Sequence, residues 1–293
     1  MNFHKLIKRY VVEDGNDFRI KDHDPADTHE LNSEDKPEAK EYVAQGVQRL
    51  SEMQDVLYAQ CNWGLLLIFQ GMDAAGKDGT IKHVMSGVNP QGVDVYSFKA
   101  PSSEELSHDF LWRTNRYLPP RGKIGIFNRS YYEEVLVVRV HPELLKKEGI
   151  PDSLCGDHLW RHRYEDINAL EKYLTRNGIA IRKFLLNISK KEQKKRFLAR
   201  LADPKKNWKF SPADVGERQF WHDYMTVYEK MIRNTATGHA PWVVVPADNK
   251  WFTRLLVVAT IVDALENLDL KYPKLGAAER AEWETARKLL EKE

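Results

Sequence analysis

The stretch Ile68–Lys82, IFQGMDAAGKDGTIK, decides how this chain reads. An apolar run, WGLLLIFQ (63–70), stops at Gly71, and DGTIKHVMSG after Lys77 carries a helical pattern. Gly71-x4-Gly76-Lys77 therefore sits between a strand and a helix, the context a phosphate-binding loop requires. Glycines let the backbone wrap closely around phosphate oxygens. The helix N-terminus adds unpaired N–H donors and the positive end of its dipole. The expected phosphate-contacting positions are Gly71, Met72, Ala74, Ala75, Gly76, Asp78, Gly79 and Thr80. Lys77 is expected to reach the bridging or transferred phosphate.

One part departs from the usual loop. The residue after the lysine is normally Ser or Thr, which helps to hold Mg²⁺. Here it is Asp78, with a second carboxylate, Asp73, inside the loop. Carboxylates suit a metal ion, whose own charge offsets theirs, so an acidic loop makes sense if the ligand is a metal–phosphate complex. Asp73 is the stronger metal-binding or catalytic candidate. Asp78 either shares that task or only favours a helix N-terminus, and Thr80 offers a displaced hydroxyl.

Working outward, short β-rich runs recur at 93–98 (VDVYSF), 123–128 (KIGIFN), 181–188 (IRKFLLNI) and 242–247 (WVVVPA), with helical patterns between them. Near-continuous apolar strands alternating with helices mark βαβ crossovers and a parallel sheet. The expected fold is a three-layer α/β domain on a five-stranded parallel sheet, over residues 38–293, with ligands at the carboxyl ends of the strands. Residues 1–37 read as a polar arm: 13–41 hold eleven acidic and four basic side chains with little periodicity.

Two more constellations fall at strand ends. KIGIFNRSYYEE ends its strand at Asn128, where a second metal-binding carboxylate would often stand. Arg129 beside it has the fork to clamp phosphate oxygens, and Glu133 follows one helical turn later. Residues 190–209 carry nine basic and two acidic side chains. Arg196 and Arg200 share a helical face there, and the segment is expected to be a mobile basic lid at about 190–210 that closes on phosphates. In SPADVGERQFWHDY, Ser211, Pro212 and Asp214 read as a helix start. The aromatic residues of RQFWHDYMTVYEKM, at helical spacing, read as core.

Composition narrows the classes. The 293-residue chain is 42% hydrophobic, with a formal charge of +2, which neither favours nor disfavours an anionic partner. Cys61 and Cys155 lie far apart and give no zinc spacing or disulfide framework, as befits a reducing cytoplasm. The N-terminus lacks the apolar core of a signal peptide, and no apolar run is long enough to span a bilayer.

The successive stretches GMDAAGKDGTIK (71–82), VNPQGVDVYSFKAPS (88–102), FNRSYYEEVLVVRVHPE (127–143) and DPKKNWKFSPAD (203–214) resemble the motifs of the type-2 polyphosphate kinases, in the right order. The resemblance runs from about residue 36 to 270. It implies a P-loop kinase fold related to thymidylate kinase, and Mg²⁺-dependent transfer (with Mn²⁺ as a substitute) between inorganic polyphosphate and a nucleotide. It matches Asp73, Lys77, Asn128, Arg129 and the lid arginines to functional positions. It assigns Asn128 and Glu133 to the nucleotide, and Asp73 and Glu133 to the metal. Many members have Asp at the Asn128 position and Asn at the Glu133 position. FNRSYYEE instead resembles the subgroup that phosphorylates both AMP and ADP. The implied partners are polyphosphate and AMP, ADP or other purine nucleotides, in a homodimer or homotetramer with no nucleic acid and no membrane. The competing readings are an ATP-dependent nucleoside-monophosphate kinase, whose loop should read Gly-Lys-Ser/Thr, and a silent polyphosphate-binding protein.

Overall fold

The five apolar runs become parallel strands: β2 (Gly64–Gln70), β3 (Val93–Ser97), β4 (Ile124–Asn128), β5 (Ile179–Asn187) and β6 (Trp242–Pro246). The computed structural model describes residues 3–156 and 158–293, the Lys209 side chain excepted. Every residue of β2 and β6 is buried, which is why their sequences are apolar without alternation. The expected strand count is corrected from five to six. Val11–Val12, β1, pairs antiparallel with β6, giving the order β1-β6-β5-β2-β4-β3. Two residues are too few to show a period of two, so tertiary pairing alone reveals this strand.

The preceding helix, α1 (Phe3–Ile7), and the residues on either side of β1 pack on the core through Leu6, Ile7, Tyr10 and Phe18, all buried. Further along, residues 23–26 cap the sheet's carboxyl edge. The His23 carbonyl accepts from Asn187 Nδ2 at 2.8 Å, and the Pro25 carbonyl from Asp248 N at 3.0 Å.

Helices cover both faces. On one lie α2 (Lys36–Gln60) and α3 (Lys77–Val84), packed against a C-terminal helix that runs from Lys250 to Glu266. On the other, α4 (Leu159–Arg176) packs on β5 and on a helix from Trp221 to Thr235. Between these come α5 (Lys190–Ala202) and α6 (Pro212–Glu217), so the Trp221–Thr235 helix is α7 and the Lys250–Glu266 helix is α8. A last helix, α9 (Ala277–Leu290), buries none of its side chains. Among the described residues, no helix is long and apolar enough to cross a membrane.

One strand carries charge into the core. Lys183 of β5 is fully buried, and its Nζ donates to Glu171 Oε2 at 2.6 Å, to the Thr235 carbonyl at 2.7 Å and to Tyr132 Oη at 3.0 Å. Glu171, equally buried on α4, accepts from the hydroxyls of Tyr131 (2.9 Å) and Tyr132 (2.7 Å). These tyrosines belong to the 3-10 turn Tyr131–Val135 that follows β4. The ion pair thus anchors the turn that bears Glu133 and follows Arg129.

Candidate active site at the strand carboxyl ends

The loop after β2 has the shape its glycines allow. Gly71 has φ 150° and Gly76 φ 106°. A Cβ on Gly71 would stand 2.8 Å from the Leu186 carbonyl. Ala74 takes φ 63°, a left-handed conformation that costs a non-glycine residue and concentrates at ligand sites. Thr80 is the first residue to donate within α3, to the Gly76 carbonyl at 2.9 Å. The first turn of the helix therefore presents its N–H groups toward the loop, together with the positive dipole end. Met72, Ala74, Ala75 and Thr80 are buried, while Asp78 and Gly79 lie exposed at the rim.

Lys77 folds back over this loop, donating to the Gly71 carbonyl at 2.6 Å and the Met72 carbonyl at 3.4 Å. Burial, and next the neighbouring Arg129, hold its ammonium below the usual lysine range, against the pull of Asp73, Glu133 and Asp78. Arg129 also has a left-handed backbone, φ 64°, pinned by a bond from its N–H to the Phe69 carbonyl. That turn aims its guanidinium between two carboxylates: Asp73 Oδ1 at 2.8 Å and Glu133 Oε2 at 3.5 Å. The Gln70 amide, oriented as its neighbours require, donates to Glu133 Oε1 at 2.8 Å and accepts from Ser130 Oγ at 3.1 Å. Burial raises Glu133 above the ordinary carboxylate range, and Arg129 and Lys77 oppose it. Asn128 donates to Asp78 Oδ1 at 2.8 Å, joining the end of β4 to the start of α3.

The structure thus brings Asp73, Lys77, Asn128, Arg129 and Glu133 together from two stretches of the chain, 73–77 and 128–133. It treats the two lid arginines differently. Arg196, expected in a mobile lid that closes on phosphates, is buried with its donors on the loop carbonyls. Arg200 is half-buried, its guanidinium 5.6 Å from the Phe197 ring.

Four residues that sequence reasoning assigned elsewhere or passed over also reach this place. Tyr224 and Tyr228, read as core, are buried, yet both sit within electrostatic reach of Glu133, and Tyr228 also of Asp73 and Arg129. Asp214, read as a helix start, has its carboxyl raised by burial and next by the Asp73 charge. Gln193 donates to the Asp73 carbonyl at 2.9 Å. The available signal was the i,i+4 spacing of Tyr224 and Tyr228. Nothing local distinguished it from packing.

Asp73 and Glu133, on either side of Arg129, are two carboxylates that could hold a divalent cation. Among the described residues no group of three or more His, Cys, Asp or Glu could form a metal cage. That donor set fits Mg²⁺, which keeps several waters and binds through one or two carboxylates together with substrate phosphates.

Glu134, the next residue, faces the other way. Its carbonyl accepts from Arg163 Nη1 at 2.7 Å, and Arg163 also pairs with Glu148. Burial first, and Glu148 second, push its carboxyl up to about 7 from 4.5. A raised carboxylate binds its proton more tightly in the fold. The resulting stability is complete below pH 4.5 and is lost as pH rises through 7. Over that window it amounts to about 3 kcal/mol. Denaturant melts at pH 5 and pH 7.5 should show Glu134→Gln losing much of the wild type's fall in stability; superimposable pH profiles would refute this.

A glycine cradle closed by a buried lysine, at the carboxyl end of a central parallel strand, handles phosphate chains through backbone N–H groups. The class is a phosphotransferase of the P-loop kinase type. Comparisons with known proteins narrow it. The family model for polyphosphate kinase 2 matches residues 32–273. A Rhodopseudomonas palustris protein named ADP-polyphosphate phosphotransferase is 54% identical over 250 residues, 85% of this chain and 86% of that one. A Meiothermus ruber protein named AMP/ADP-polyphosphate phosphotransferase is 42% identical over 268 residues, 92% of this chain and 96% of that one. The crystal structure of polyphosphate kinase 2 from Arthrobacter aurescens superposes with a TM-score of 0.85 at 41% identity, covering 96% of each chain. The chain belongs to the polyphosphate kinase 2 family and is a polyphosphate-dependent phosphotransferase.

Proposed function

We propose that this enzyme moves the terminal phosphate of inorganic polyphosphate reversibly onto AMP and ADP, with Mg²⁺ as its divalent cation. The observation that carries this reading is the charge chain Asp73–Arg129–Glu133 set beside Lys77 at the ends of β2 and β4. The names of the Rhodopseudomonas and Meiothermus relatives support these acceptors.

The chain's own groups divide the task. Loop N–H groups and Lys77 hold the end of the polyphosphate donor. Arg129, with its fork already held by two carboxylates, sits where the donor and acceptor phosphates meet and offsets charge that develops in flight. The acceptor phosphate is itself the nucleophile and at neutral pH needs no strong base, so catalysis comes from positioning and charge neutralisation. Mg²⁺, when bound through Asp73 and Glu133, supplies further neutralisation between two polyanions. Arg200 is the lid arginine we assign to phosphate, and Asn128, beside Asp78, lies on the nucleotide side.

The decisive assay supplies purified protein, Mg²⁺ and AMP or ADP with either polyphosphate or ATP as donor. ADP and ATP should form from polyphosphate; transfer from ATP alone would replace this reading with a nucleoside-monophosphate kinase. We further place the enzyme in the reducing cytoplasm, where its unpaired Cys61 and Cys155 stay reduced. We expect a homodimer or homotetramer, which light scattering checks.

Acceptor choice rests on Glu133. AMP brings one phosphate fewer than ADP, must be held deeper and depends more on this carboxylate. Glu133→Asn should lower kcat/KM for AMP about tenfold more than for ADP, equivalent to about 1.4 kcal/mol of differential transition-state stabilisation. Equal losses at saturating polyphosphate would make Glu133 a general structural or metal residue.

A further inference from the structure

A guanidinium has five N–H donors in a fixed fork, and Arg196 spends all of them on the protein. Its Nε donates to Glu192 Oε1 at 3.0 Å. Its Nη1 donates to the Ala74 carbonyl at 3.0 Å and the Ala75 carbonyl at 2.8 Å. Its Nη2 donates to the Ala247 carbonyl at 2.6 Å and the Asp248 carbonyl at 3.2 Å. The side chain is only 8% exposed. One turn earlier on the same face of α5, buried Gln193 donates to the Asp73 carbonyl at 2.9 Å. Its amide oxygen in turn accepts from Nη1 of Arg218, which follows α6 and also donates to the Lys190 carbonyl.

Three successive loop carbonyls, those of Asp73, Ala74 and Ala75, are therefore held by α5. In a trans peptide the C=O and the N–H of the next residue point in opposite directions. Pinning these carbonyls toward α5 turns the N–H groups of Ala74, Ala75 and Gly76 away from it. That of Ala75 closes a turn on the Met72 carbonyl at 3.1 Å, while those of Ala74 and Gly76 are left facing the concave side, where an anion would lie. Ala74 meets this demand with its left-handed backbone.

We propose that Arg196 and Gln193 are positioning residues: α5 grips the outer carbonyls of the phosphate-binding loop and so pre-sets its inward donors, and Arg196 touches no phosphate. Through Arg218 the same grip ties the loop to the segment that follows α6. The loop then reaches the donor already shaped, and its geometry follows the seating of α5. This differs from a basic lid whose charges all meet the ligand, a part left to Arg200. The inference rests on the polyphosphate reading only for its probe.

The experiment measures turnover and, separately, the calorimetric Kd for inorganic polyphosphate across a salt series. Each phosphate-contacting cation lost from a flexible polyanion complex lowers the slope of log Kd against log salt by about 0.7. Arg196→Gln should cut turnover at least about tenfold through kcat, less than the roughly 10²–10³-fold of a donor lost outright because the loop N–H groups remain but are no longer pre-set, with the slope unchanged. Arg196→Lys should fail to rescue it, because one ammonium cannot span four carbonyls. Arg200→Gln should lower the slope. Gln193→Glu, close in shape but unable to donate to Asp73, guards against an Arg196 variant that does not fold, and should lose kcat with a wild-type slope. A slope lowered by about 0.7 in Arg196→Gln together with rescue by lysine would overturn the proposal, as would wild-type turnover in Gln193→Glu. A wild type that binds polyphosphate without transferring it would sink the functional reading alone, and the slopes would still decide this one.

Discussion

Lys77→Ala lowers turnover by roughly 10²–10³-fold, the scale on which loss of one preorganised charge-stabilising donor is felt, while melting temperature falls by only a few degrees. The two halves of that expectation come from different contacts. Among the described residues the ammonium bonds only the Gly71 and Met72 carbonyls, and such bonds contribute about 1–2 kcal/mol to stability. Those carbonyls belong to the loop itself, so the lysine waits on its own cradle and can exchange them for phosphate oxygens at little cost. Burial leaves its charge poorly solvated, which lowers its pKa and sharpens its preference for an anion. Lys77→Arg should not restore activity, because a longer planar fork does not fit where the buried ammonium rests on the Gly71 and Met72 carbonyls. Steady-state kinetics with saturating polyphosphate checks the first half and a thermal melt the second. Turnover within about threefold of wild type in the alanine variant would remove Lys77 from the transition state.

Lys183→Met lowers stability by about 3–5 kcal/mol, because it leaves Glu171 as an uncompensated charge in the core. For a domain of this size that is a fall in Tm of roughly 6–15 °C. Glu171→Gln should cost a similar amount, since it strands the ammonium instead. The double variant Lys183→Met/Glu171→Gln leaves no buried charge, and its loss should be well below the sum of the two singles. The same pair holds the hydroxyls of Tyr131 and Tyr132, so the folded fraction of either single variant should also lose kcat as the Arg129–Glu133 turn loosens. Additive single-variant losses, or a Tm within 2 °C of wild type for Lys183→Met, would show that the network contributes nothing as a unit.

Much of this was legible beforehand. The buried runs of β2, β4 and β6 are apolar because both faces are covered, and a window of a few residues is enough to see that. Gly71, Gly76 and Lys77 were legible for a local reason as well: the loop's backbone angles and its lysine lie within seven residues, so one short stretch contains the whole requirement. Asn128, Arg129 and Glu133 could be placed because they follow directly from a strand end.

What only tertiary structure decided concerns groups whose partners are distant in the chain. A two-residue strand at Val11–Val12 has no period to read and exists because β6 offers it an open edge. Lys183 looks like a lapse in an apolar run until Glu171, twelve residues earlier, is seen to meet it in the core. Tyr224 and Tyr228 have the spacing of core residues, and their nearness to Glu133 arises only from how α7 packs in the fold. Arg196 shows the limit most plainly. Its sequence surroundings are those of a solvated basic helix. Five acceptors from α5, from residues 74 and 75, and from residues 247 and 248 make it a buried strut. Local sequence determines which groups a residue carries. Which of those groups remain available for a ligand depends on acceptors brought in from as far as 122 residues away, and those are assembled only when the chain folds.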